Sequence, residues 1–128
     1  NAISLSATEE ETAKLIKKSP TDSDRNITFD PENRPQVAAL LTTAGLVTGR
    51  DPAEIAEEIG NGGGGALKAY VTESVNEFLA PHRERREELA KDMDTIRDIL
   101  HDGNRRANAI ANETLDQVRE AMGMRYDR

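Results

Sequence analysis

The chain has no cysteine and no tryptophan, and aromatic residues make up only 3% of its 128 positions. Without cysteine it can form neither a disulfide framework nor a thiolate metal site. So few aromatics exclude a stacking platform of the kind that RNA-binding sheets use. No long apolar run is present, so no segment is fit to span a bilayer. With no secretory pattern either, a cytoplasmic protein free of membrane contact is expected. What remains is a chain of single-domain length, 36% hydrophobic and 32% charged in mixed sign, enough for a modest core and unlike a disordered composition.

The net charge is −7, which argues against a general nucleic-acid-coating protein and against a DNA binder. The charge is uneven along the chain. Residues 1–65 hold 6 basic and 11 acidic groups; residues 66–128 hold 11 and 13. Most positive charge therefore lies in the second half. An acidic protein can still meet RNA where its basic groups cluster.

The pattern is helical almost throughout. Thr8 and Glu11 form a capping-box signature, followed by Leu15, Ile16 and a stop at Pro20. The stretch TDSDRNITFDPENRP, residues 21–35, is a polar connector with a small apolar island, Ile27 and Phe29. Pro35 opens a second helix whose Val37, Leu40, Leu41, Ala44 and Val47 share one face up to Gly49. Asp51 and Pro52 open a short third. The glycine-rich residues 60–65 predict an irregular turn, and a long helix is expected from Ala66 with a stripe from Leu67 to Leu79. Pro81 predicts a kink or restart. A last helix is expected from Met93 to Met122, with Gly103 either admitting a close neighbour or splitting it. The opening residues NAISLS alternate like a strand that has no partner in this chain. The expected fold is mainly α, a compact bundle of about five helices with one orphan N-terminal strand.

No catalytic constellation is apparent. The glycine run lacks the preceding strand and the Lys-Ser/Thr pair of a phosphate loop, and reads as a turn. His82 and His101 have no acidic neighbour at metal-ligand spacing, so no metal site is expected. Ser23 has no paired base, and the Glu57–Glu58 and Glu87–Glu88 pairs read as helix-surface charge. The basic residues are more informative. Arg83, Arg85 and Arg86 fall within four positions, Lys91 follows, and Arg105 and Arg106 lie on the last helix. They suit either ion pairs along a helix or guanidinium contacts to phosphates and splayed bases. Arg83, Arg86, Lys91, Arg105 and Arg106 are the candidate RNA contacts.

Thr21, Asp22, Ser23, Ile27, Phe29, Asp30, Pro31, Arg34 and Pro35, with Leu40, Leu41 and Gly49, resemble the C-terminal region of bacterial tryptophanyl-tRNA synthetases. In that family a helix leads into a Thr-Asp-Ser connector and then a Lys/Arg-Pro helix start. EFLAPHRERREEL and NRRANAIANETLDQVREAMG resemble its later helices, so the similarity is ordered along essentially the whole chain. Departures are Gly62 and Gly64, where the family has lysine and tyrosine, and Gln36, Ala38 and Ala39 after the proline start.

The resemblance implies a ligase that activates tryptophan with ATP and Mg and transfers it to tRNA(Trp). The parent enzyme would be a homodimer. Residues 1–35 would be a strand, helix and connector from the end of a Rossmann catalytic domain, which would itself precede Asn1 beyond a Lys-Met-Ser-Lys-Ser loop. Residues 36–128 would form the helical anticodon-binding domain. This region alone is expected to be inactive and to hold no cofactor. The competing expectation is a free-standing helical protein-interaction module with no RNA role.

Overall fold

A computed structural model of the chain describes residues 2–125. Five α-helices and one short 3-10 turn account for its regular structure: α1 Glu9–Lys18, α2 Pro35–Thr48, α3 Pro52–Ile59, the turn Gly60–Gly62, α4 Gly63–Lys91 and α5 Met93–Ala121. Two compact units are present, one ending at Glu84 and the other starting at Arg85.

In the first unit, local signals start and stop the helices. The Thr8 hydroxyl accepts from the Glu11 amide at 3.2 Å, and the Thr8 amide donates to the Glu11 carboxylate at 2.9 Å. Three acids in the first turn and two lysines in the last suit the helix dipole. Pro35 stands at the start of α2, and Gly49 ends it in the left-handed region at φ 71°. Asp51 caps α3 through the Ala53 amide at 2.7 Å.

The core joins Ile16 of α1, Ile27 of the connector, Val37, Leu40, Leu41 and Ala44 of α2, Ile55 and Ala56 of α3, and Leu67, Val71, Val75 and Leu79 of α4. The expected faces of α2 and α4 therefore point inward. Phe78 does not follow them; it is 48% exposed and lies tilted against His82.

The connector is held by one arginine. Arg34 donates to both carboxylate oxygens of Asp22, through Nε at 2.8 Å and Nη2 at 2.6 Å. Its Nη1 reaches the Asn26 carbonyl at 2.6 Å and the Thr28 hydroxyl at 2.9 Å. Asp22 and Asp24 each accept from the amide two residues on, which folds the chain into successive Asx turns. Asp30 does the same for Glu32 and Asn33 just before α2. Of the apolar island, Ile27 is buried, its amide donating to the Gly60 carbonyl at 2.7 Å, whereas Phe29 stays partly exposed.

Three expectations need correction. First, no strand occurs among the described residues; Ala2–Ser4 are irregular and a turn follows. The alternation has no neighbouring strand to satisfy its backbone, so the chain turns instead, and Ile3 packs against the helical core. Second, the glycine run is regular, with α4 starting at Gly63. A helix's first turn tolerates glycine when neighbours hold it, and the connector comes close here. A Cβ on Gly64 would stand 2.8 Å from the Thr21 hydroxyl oxygen. Gly63 enters the helix at φ 73°, a conformation that disfavours side-chain-bearing residues. Third, α4 continues through Pro81 with no restart; of the two readings of Gly103, splitting does not occur, since α5 runs through it.

In the second unit, Asp92 caps α5 by accepting from the Thr95 amide at 3.0 Å and hydroxyl at 2.6 Å. These bonds, led by the hydroxyl, hold its carboxyl below the usual carboxylate range. None of the residues of α5 is buried. Its stripe of Met93, Leu100, Ile110, Leu115 and Val118 is at least 42% exposed at each position.

Candidate nucleic-acid interface

The five candidate residues fall into different settings. Arg83 lies in the first unit, near the end of its share of α4. Its side chain is only 14% exposed. Nε donates to the Ala7 carbonyl at 2.9 Å, and Nη2 donates to the Thr12 hydroxyl and the Asn76 side-chain oxygen, both at 3.0 Å. Nη1 points to the Asn76 carbonyl at 3.5 Å, with a Glu9 carboxylate oxygen at 4.0 Å. Its fork is turned inward and filled by protein acceptors.

Arg86, Lys91, Arg105 and Arg106 all lie in the second unit and are exposed. Arg105 and Arg106 share the Asp102 carboxylate at 2.7 and 3.2 Å. Arg85, between the candidates, pairs with Glu88 at 2.9 Å. Arg86 and Lys91 enter none of the ion pairs among the described residues. They are therefore the two candidates whose charges stand open to an anionic partner. Exposed helical ion pairs hold their members weakly, by about 0.3–0.5 kcal/mol. Arg105 and Arg106 can thus exchange Asp102 for a phosphate at little cost.

Sequence reasoning named Arg34 only as a family match and passed over Arg50. Arg50 donates to the Tyr70 hydroxyl at 3.1 Å and to Glu58 at 2.7 Å, tying the end of α2 to α3 and α4. The Arg34 signal was present, since an Asp-rich connector ending in arginine invites such a clasp. Among the described residues, no group of three His, Asp or Glu side chains gathers as metal ligands would. Nor is any helix among the described residues long and apolar enough to cross a membrane.

The chain as a whole is similar to known proteins. A family model described as tRNA synthetases class I (W and Y) matches residues 1–80, which take in α1, the connector, α2, α3 and most of α4. The chain is 38% identical over 112 residues to tryptophan–tRNA ligase 2 of Streptomyces avermitilis, covering 88% of this chain and 33% of that protein. It is 35% identical over 111 residues to the tryptophan–tRNA ligase of a Nostoc species, covering 87% and 33%. With the mitochondrial tryptophan–tRNA ligase of Dictyostelium discoideum it shares 32% over 122 residues, 95% of this chain and 32% of that one. The chain thus spans about a third of the length of the curated relatives it matches. The resemblance carried by the connector and its flanking helices is borne out, and the chain belongs to the class I tRNA synthetase family of the tryptophan and tyrosine enzymes.

Proposed function

We propose that this chain is the helical, tRNA-recognising portion of a tryptophan–tRNA ligase. The whole enzyme would activate tryptophan as an adenylate with ATP and Mg, then pass the acyl group to tRNA(Trp). It would work as a cytoplasmic homodimer. Residues 1–35 would belong to the end of the catalytic domain, and residues 36–128 would form the anticodon-binding part. The reading rests on similarity to tryptophan–tRNA ligases that extends over as much as 95% of the chain.

Within this reading Arg86, Lys91, Arg105 and Arg106 bind the RNA. Arginine offers a planar fork for a phosphate or a splayed base, and lysine offers a point charge. Arg83 contributes from inside the fold through its bonds to Ala7, Thr12 and Asn76. An acidic chain with few open cations makes few phosphate contacts, so binding should be weak and should tighten at low salt.

The test is a salt titration of this chain against labelled tRNA(Trp), followed by anisotropy. Replacing Arg86 and Lys91 together by Ala should lower the slope of log K against log salt by roughly 1 to 2, since each lost phosphate contact removes somewhat less than one unit. Replacing Arg105 and Arg106 should act in the same direction. Unchanged slopes would remove the assignment of these residues. No tRNA binding even at low salt would instead favour the interaction module.

A further inference from the structure

Pro81 lies inside α4 and has no amide hydrogen. It leaves the Glu77 carbonyl without its helical donor and crowds the turn before it. Arg83 follows two residues later and reaches back over that turn, to the carbonyl and side chain of Asn76. The same guanidinium grips the Ala7 carbonyl and the Thr12 hydroxyl, 76 and 71 residues away in sequence. One side chain therefore both bonds the turn before the proline and ties a distant segment to it.

That segment has little else to hold it. Among residues 7–15 only Ala7 and Thr12 are buried, and neither brings a large apolar side chain. Of α1, only Ile16 enters the apolar core. Among the described residues, the other hydrogen bond from this segment to α4 is a 3.5 Å one from the Asn76 amide group to the Glu9 carbonyl. Thr12 is completely buried, so losing its partner would leave its hydroxyl unsatisfied. The first half of α1 is held by polar contacts rather than by apolar burial. Segments held in this way open before the core does.

We propose that Arg83 is a latch. It fastens residues 7–12 to α4 at the turn before Pro81, and this segment docks and leaves as one unit while α2 and α3 stay folded. The proposal goes beyond RNA recognition and does not depend on it, because the latch is read from the chain without any RNA.

Hydrogen exchange followed by mass spectrometry on the full chain tests it. In Arg83→Ala the amides of Glu11 and Thr12, which bond to Thr8 in the closed turn, should exchange roughly ten- to a hundredfold faster. Amides of α2 and α3 should keep their wild-type rates. Arg83→Lys should fall between, because one ammonium cannot serve all the acceptors at once. Thr12→Val, which keeps the shape and removes one acceptor, should give the same local pattern more weakly; it also carries the test if Arg83→Ala does not fold. Unchanged rates at residues 7–12 overturn the latch. So does equal acceleration in α1, α2 and α3, which would make Arg83 an ordinary contributor to global stability.

Discussion

At the scale of single residues, the sequence states capping and glycine chemistry far more clearly than it states what a charged side chain will touch. Thr8, Asp51 and Gly49 were legible because each acts on backbone a few positions away. Arg83 was not, because its acceptors on Ala7 and Thr12 are distant in sequence and only the fold brings them near. A run of like residues hides another difference. Gly64 faces the Thr21 side chain at a distance no Cβ could accept, whereas Gly65 has nothing within 4 Å. Gly64→Ala should therefore lose about 1–3 kcal/mol through overpacking. Gly65→Ala should gain about 0.4–1 kcal/mol by restricting the unfolded chain. Urea titrations of the two variants provide the check, and equal effects would contradict the close approach of the connector.

Among the elements, the helices were readable from periodicity, and α1, α2 and α3 begin where their caps and prolines put them. The connector was legible as punctuation but not as architecture. Its clasp depends on Arg34 turning back over Asp22; the acidic connector invites a clasp, but no spacing rule picks the partner. The hydrogen bond from Arg34, followed by backbone bonds and its charge, holds the Asp22 carboxyl below the usual carboxylate range. A carboxylate lowered in the folded state adds stability above its ordinary range. That stability fades as pH falls from about 4 through the lower folded-state value. Asp22→Asn should accordingly lower the urea midpoint at neutral pH and flatten its decline in acid. Asp30 is lowered as well, chiefly by Asn33, so some acid sensitivity should remain in that variant. An acid limb identical to wild type would show that the clasp adds nothing to stability. The opening strand failed for the converse reason: alternation specifies a strand only when another strand is there to pair with it.

Across the whole molecule, the apolar core lies entirely within the residues up to Glu84, whereas α5 buries none of its own. A chain ending at Glu84 should therefore still melt cooperatively, at nearly the full-length temperature, with the helical signal of α1 to α3 preserved. Circular dichroism would show it, and a non-cooperative melt would mean that the second unit is needed for the first to fold. The apolar stripe of α5 was plain in the sequence, but periodicity says only that a face is apolar, not what meets it. The family was legible in the order of the connector and its helices, because ordered matches along a chain are more specific than any single motif. The tie between Arg50 and the Tyr70 hydroxyl has a practical side. With only two tyrosines and no indole in the chain, its near-ultraviolet emission is faint and comes in part from a phenol anchored where α2, α3 and α4 meet. Free tryptophan, or a single indole placed by mutation, would be seen by fluorescence against an almost dark background.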